Sequence, residues 1–198
     1  MVILGLTGGI ASGKSTVSGM LKDMGAYIVD ADKLAREIAA KGKPTWREIV
    51  NRFGDGILDP NGEIDRKRLG QMVFADEVLR KELENITHPR IKEAAYAEIE
   101  KAKADGYKVI VIDAPLLIEA GWEKMVQTVW VVYVDENTQI TRLLERDKIS
   151  LAAALTRIRA QMPLKEKINY ADVVIDNSKG LDNTLAQVMS AWRDIKHE

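Results

Sequence analysis

The residues Gly8-Gly9-Ile10-Ala11-Ser12-Gly13-Lys14-Ser15 follow the spacing G-x-x-x-x-G-K-[ST]. Those types in that order suit a polyphosphate. Small residues let successive backbone N–H groups turn toward one anion, and a helix opening at the end of the run adds the positive end of its dipole. Lys14 then reaches the β- and γ-phosphates, and the Ser15 hydroxyl can ligate Mg2+. The expected nucleotide-binding residues are therefore Gly9, Ile10, Ala11, Ser12, Gly13, Lys14, Ser15 and Thr16. A glycine turn followed by a chance lysine would share the letters. It would not share the setting, an apolar run before the motif and an amphipathic pattern after it.

Three further groups carry candidate chemistry. Asp30-Ala31-Asp32 closes a second apolar run, at the carboxyl end of a strand, where ligands of open α/β sheets bind. One of these aspartates can align or deprotonate an acceptor hydroxyl, and either can instead cap a helix beginning near Lys33. Asp113 ends Val109-Ile110-Val111-Ile112-Asp113, where a magnesium-directed carboxylate would stand, although many strands end in aspartate. Arg142, Arg146, Arg157, Arg159, Lys165 and Lys167 crowd one segment. Such a segment can close over a nucleotide as a lid, or it can be a solvated helical face salt-bridged to Glu145, Asp147 and Glu166. His88-Pro89 reads as a helix boundary, because proline restricts its predecessor.

The elements that must position these groups follow from the hydrophobic pattern. Val2 to Thr7 reads as a buried strand, and Val17, Met20, Leu21 and Met24 form one helical face that Gly25 ends. Tyr27-Ile28-Val29 is a second strand, so the chain opens strand–loop–helix–strand, the signature of a parallel sheet. Residues 33–105 contain no convincing strand and show helical faces at Trp46-Ile49-Val50-Phe53, Leu69-Met72-Val73 and Ile91-Ala94-Ala95-Ile99-Ala102. Continuously apolar strands resume at Val109–Asp113 and Val129–Asp135, and Val173-Val174-Ile175 is a last short one. A terminal helix carries Leu181, Leu185, Val188, Trp192 and Ile195. The expected fold is α/β: a P-loop kinase-like sheet of about five parallel strands flanked by helices. The expected organisation is a single domain with a nucleotide-binding core at 1–32, 106–141 and 171–198, a helical acceptor lobe at 33–105 and a lid at 142–170.

Composition narrows the function classes. The 198 residues hold 30 acidic and 29 basic side chains, so no global positive field attracts nucleic acid. Cysteine is absent, which removes disulfides, thiolate metal sites and a cysteine nucleophile. His88 and His197 alone supply imidazole, too few for a multi-histidine metal site. No run approaches the ~20 apolar residues of a membrane span, and no basic leader precedes an apolar stretch. The expectation is a cytoplasmic enzyme, a monomer or weak homo-oligomer, with neither nucleic acid nor membrane as partner. The guanine-specifying N-K-x-D pattern is missing: the corresponding place reads Asn177-Ser178-Lys179-Gly180-Leu181-Asp182. Helical insertion after the second strand and basic segment after the fourth suit a small-molecule or nucleotide kinase better than a nucleotide-dependent switch.

The ordered series of motifs resembles the dephospho-CoA kinase family nearly end to end. It runs from Leu6-Thr7-Gly8-Gly9-Ile10 and Ser12-Gly13-Lys14-Ser15 through Asp30-Ala31-Asp32, Ala35-Arg36, His88-Pro89, Pro115-Leu116-Leu117 and Glu119. It continues with Arg142-Leu143, Arg146-Asp147, Gln161, Lys167, Ala171-Asp172 and Ile175-Asp176-Asn177. The resemblance implies ATP-dependent phosphorylation of the ribose 3′-hydroxyl of dephospho-CoA, and it implies that Asp32 engages the acceptor hydroxyl. The phosphate loop and the strand-end acid add Ser15 and Asp113 as the expected holders of Mg2+, and Lys14, with Arg142 of the basic segment, as further expected catalytic residues. Arg36, His88, Leu116, Leu117 and Glu119 would line the acceptor site, Arg142 and Arg146 the lid edge, and Asn177 the surroundings of adenine. Two positions depart from the family pattern of glycine. Ala11 is tolerable if its φ stays negative, and Lys148 would stiffen the approach to the lid.

Overall fold

A computed structural model describes residues 1–197; Glu198, the end of the expected core, and the side chains of Phe74, Lys196 and His197 lie outside the description. The strands are β1 (Val2–Gly8), β2 (Tyr27–Asp30), β3 (Val109–Asp113), β4 (Thr128–Tyr133) and β5 (Val173–Asp176), in the sheet order β2-β3-β1-β4-β5. β1 lies parallel to both β3 and β4, with Leu6 opposite Asp113 on one side and Trp130 on the other. β4 lies parallel to β5. Alternate residues of the central strands are buried on both faces. Leu4, Leu6, Val111, Trp130 and Val132 belong to one core cluster, and Ile110, Ile112 and Val131 are equally inaccessible. This double burial is why the strands read as unbroken apolar runs. The first cluster is closed by Val17 and Leu21 of helix α1 (Lys14–Asp23) and by Val188 and Trp192 of the C-terminal helix, Leu181–His197.

The chain forms two compact units, one of Met1–Val29 with the residues from Lys101 onward, the other Asp30–Glu100. The second unit contains α2 (Ala31–Ile38), α3 (Pro44–Phe53), α4 (Arg66–Ala75) and most of α5 (Glu77–Ala104). Its own core is Ala39, Ile49, Ile57, Leu69 and Val73, backed by Phe53, Leu83 and Ile86. Local signals set its helix starts. Pro44 opens α3, where its missing N–H costs nothing. The Asp65 carboxylate caps α4 by accepting from the N–H groups of Lys67 and Arg68 at 3.0 and 3.1 Å.

One boundary expected from sequence is absent. His88-Pro89 does not end a helix; Pro89 lies inside the 28-residue α5. Proline removes a single N–H donor, the one that would serve the Asn85 carbonyl, and the helix continues past it; nearby, the Thr87 hydroxyl donates to the Leu83 carbonyl at 2.8 Å and the Arg90 guanidinium to that of Ile86 at 2.6 Å. Arg90 also pairs with Glu48 of α3. The rest of α5 has the length to continue past one lost bond.

Ile49 is 2% exposed at the centre of the helical unit. Ile49→Ala is expected to cost about 2–5 kcal/mol. Urea unfolding of this variant checks it, and hydrogen exchange should show the loss concentrated in residues 30–100. A loss below about 1 kcal/mol would mean that this cluster is not the unit's core.

Candidate active site

Gly8 is the last residue of β1, and the loop that follows turns back on itself through a bond from the Ser12 N–H to the Gly9 carbonyl. Gly13 then starts α1 with φ 88°, a left-handed conformation that favours glycine. A Cβ there would also stand 2.0 Å from Asn177 Nδ2, so space and backbone both exclude a side chain. The polar groups of the loop divide into two sets. The N–H groups of Ala11, Gly13, Lys14 and Ser15 have no acceptor among the described residues. The carbonyls are occupied. That of Ile10 accepts from Gln139 at 2.7 Å, that of Ala11 from Arg142 at 3.3 Å, and that of Ser12 from Arg142 at 3.4 Å and Asn177 at 2.8 Å. Unpaired donors beside engaged carbonyls, at the positive end of a helix, make an anion site.

Side chains around the loop complete it. The Lys14 ammonium pairs with the Asp113 carboxylate at the end of β3. The buried Ser12 hydroxyl has no partner. Ser15 and Thr16 are exposed on the first turn of α1. Asn177, just past β5, is buried; it accepts from the Thr184 hydroxyl at 2.7 Å, and its backbone carbonyl takes the second Arg142 nitrogen at 2.9 Å. Lys14, Asp113, Arg142 and Asn177 are thus brought together around the loop. Ala11 corrects an expectation: its φ is +61°, not negative. An L-residue in that region bears a penalty of roughly 1–2 kcal/mol, so the loop holds Ala11 in a conformation that it does not prefer.

The basic segment resolves into α6 (Glu136–Asp147), α7 (Leu151–Arg159) and the short α8 (Leu164–Lys167). Lys148 between the first two has φ 52°, which accounts for a position favouring glycine. Arg146 is turned to its neighbour Asp147 through bonds of 2.7 and 3.2 Å, and Arg157 donates to the same carboxylate at 2.6 Å. The Arg146 hydrogen bond, with the charges of both arginines, holds the Asp147 carboxyl below its ordinary range. These ties therefore persist above the usual carboxylate pKa and are lost as acid carries the pH through the lower folded value.

Lys167 is wholly buried and donates to the Pro115 carbonyl at 2.6 Å and to Glu119 at 3.0–3.1 Å. Glu119 also accepts from the Met162 N–H, and the Thr7 hydroxyl shares the Pro115 carbonyl. Burial depresses the Lys167 ammonium, the Glu119 carboxylate opposes that and the Lys14 charge adds to it. The cost of its burial is accordingly relieved as pH climbs through the folded value toward 10.5.

The other expected site residues are placed as follows. Asp30 is the cap of α2, its carboxylate accepting from the Lys33 N–H at 2.9 Å. The helix starts two residues earlier than expected, which leaves Asp32 exposed in its first turn, with Arg36 exposed one turn on. His88 is half-buried in α5. Leu116 is partly open, but Leu117 is fully buried against β1, where a Cβ on Gly5 would meet its Cδ1 at 2.8 Å. Leu117 therefore fills core and does not line a site. Sequence reasoning passed over Arg66, whose guanidinium is depressed by burial and by Arg36 and held up by Glu63 and Asp32. Gln139 was also missed. Its signal was a polar residue four before Leu143 on the buried face of α6. Among the described residues no group of three or more His, Asp or Glu could hold a metal. Ser15 and Asp113 are hard oxygen donors that fit Mg2+, which takes its remaining ligands from phosphates and water.

A sheet in the order 2-3-1-4-5 with this loop after its central strand defines a P-loop kinase. Comparison with known proteins narrows the class. The sequence profile described as dephospho-CoA kinase matches residues 2–183, and the chain belongs to that family. It is 49% identical over 192 residues to a dephospho-CoA kinase of Geobacter sulfurreducens, spanning 97% of this chain and 98% of the relative. It is 49% identical over 196 residues to one of Arabidopsis thaliana, spanning 99% and 84%. A solved structure of the dephospho-CoA kinase from Campylobacter jejuni superposes with TM-score 0.70 at 30% identity, covering 98% of this chain and 96% of that one.

Removing the Lys167 ammonium should leave the Glu119 carboxylate and the Pro115 carbonyl short of a donor. Lys167→Met is expected to destabilise by about 3–5 kcal/mol, toward the lower end because the Glu119 side chain is 23% exposed. Adding Glu119→Gln should restore part of the loss in urea unfolding. A double variant no more stable than the single one would show that the pair does not hold these segments.

Proposed function

We propose that the chain transfers the γ-phosphoryl group of ATP to the ribose 3′-hydroxyl of dephospho-CoA, giving coenzyme A and ADP as the last step of coenzyme A synthesis. The observation that carries the reading is the loop with four unpaired amides beside Lys14, in a chain of this family. In this reading the amides of Ala11, Gly13, Lys14 and Ser15 grip the phosphates. The Lys14 ammonium exchanges Asp113 for oxygens that gain charge as the bond between the γ-phosphorus and the β-bridging oxygen breaks. Ser15 and Asp113 would hold Mg2+, which when bound neutralises charge on the phosphates.

Asp32 takes the acceptor side. As the 3′-oxygen bonds to the γ-phosphorus, its proton passes to the Asp32 carboxylate and ADP leaves. The transition state is loose, so Asp32 contributes alignment as well as basicity. Arg36, His88, Leu116 and Glu119 are assigned to acceptor recognition, and Arg66 joins them as a second guanidinium beside Asp32. Arg142 orders the loop and the adenine-side residue Asn177, and Arg146 belongs to the nucleotide-facing edge of a lid at 142–170. The protein works in the cytoplasm as a monomer or weak homo-oligomer, without nucleic acid or membrane. Among the described residues no helix is long and apolar enough to cross a membrane.

ADP release with dephospho-CoA, with AMP and without acceptor tests the reaction: only dephospho-CoA should drive it. Comparable turnover with AMP would reassign the acceptor. Asp32→Asn keeps shape while removing charge, and it leaves the Asp30 cap of α2 intact. Turnover should fall about 10²–10⁴-fold with ATP binding nearly unchanged. Retention of more than about a tenth of parental turnover at saturating substrates would remove Asp32 from the base role. Lys14→Ala should lower turnover about 10²–10³-fold in a folded protein.

A further inference from the structure

Ile10 is gripped through two successive peptide groups. Its N–H donates to Gln161 Oε1 at 2.8 Å, and its carbonyl accepts from Gln139 Nε2 at 2.7 Å. Gln139 is 4% exposed and rises from α6; Gln161 lies between α7 and α8. Next to these peptides, Gly9 leaves no room for a side chain, since a Cβ there would stand 2.6 Å from Gln139 Nε2 and 2.9 Å from Leu164 Cγ. The Ile10 N–H, like that of Ser12, is therefore already paired and stands outside the set of unpaired amides. The next residue, Ala11, has φ +61°. Such a backbone persists only where the surroundings over-determine it.

We propose that Gln139 and Gln161 are positioning residues for ATP, a two-sided amide clamp that fixes the peptide groups on either side of Ile10 and keeps Ala11 left-handed. In that state the Ala11 and Gly13 amides are left free for phosphate. This inference rests on the reading of the loop as the ATP site and deepens it. It also gives the stretch from Gln161 to Lys167 a task. Anchored through Leu164 at Gly9 and through Lys167 at Glu119, this stretch carries the acceptor oxygen that sets the loop's shape. The clamp matters most because residue 11 is alanine. A glycine there would take the left-handed backbone without help.

That difference gives a test that a merely structural role would not pass. ATP affinity is measured by calorimetry on the full chain for the parent, Gln161→Ala, Ala11→Gly and the double variant, with circular dichroism as the check on folding. Loss of the clamp should weaken ATP binding about 5- to 30-fold when residue 11 is alanine, the left-handed penalty read as an equilibrium. With glycine at 11 the same loss should be less than about threefold. The KM for dephospho-CoA should not move. If Gln161→Ala unfolds, Gln161→Met keeps the volume and removes only the acceptor, and it is judged by the same pattern. Gln139→Leu, which strips the other side, must repeat it. An ATP affinity within about twofold of the parent, or equal losses with alanine and glycine at 11, overturns the clamp. A parent that binds no ATP overturns the nucleotide reading and the clamp with it.

Discussion

A backbone amide that is to bind phosphate must be left unpaired, yet a loop cannot leave its carbonyls unpaired as well without a penalty for each buried polar group. The loop after β1 meets both demands by sorting its groups. Its donors at 11, 13, 14 and 15 stay open, while Gln139, Arg142 and Asn177 take its carbonyls. Those three side chains come from α6 and from the end of β5, so β4, β5 and the helices around them exist in this arrangement partly to hold the loop. Glycine at 9 and 13 follows from the same constraint, because the supporting side chains approach closer than a Cβ allows.

The charges are arranged to a related end. Lys14 and Lys167 each have a carboxylate partner: Asp113, which ends β3, and Glu119, six residues further on. Each pair is broken at a cost if only one partner is lost. Lys14 has an alternative partner when a polyphosphate enters, whereas Lys167, wholly buried, keeps its own and fixes the residues that lead from the basic segment back to β5. The segment is thus tied at one end through Arg142 and at the other through Lys167, while Arg146 and Arg157 between them are held by Asp147.

How much of this was legible in the sequence depends on the range of the interaction. The phosphate loop, the strands and α1 follow from local pattern, because apolar runs and glycine spacing act over a few residues. Asp113 was identified by its place at a strand end, but its pairing with Lys14 depends on β1 and β3 lying side by side, which composition does not reveal. Pro89 was misread because a boundary rule for one residue was set against a helix of 28, which can forgo one backbone bond. The left-handed Ala11 was unreadable for the same reason: the groups that force it are 128 and 150 positions away in the chain. Leu117 was assigned to a site from the resemblance, and only the packing under Gly5 puts it in the core.

The sorting of loop groups is open to direct observation by backbone amide NMR during titration with ATP. The account predicts the largest shifts at the amides of Ala11, Gly13, Lys14 and Ser15, with the Ile10 amide, already donated to Gln161, protected from exchange before and after. Shifts centred elsewhere, with these four amides unmoved at saturating ATP, would contradict it.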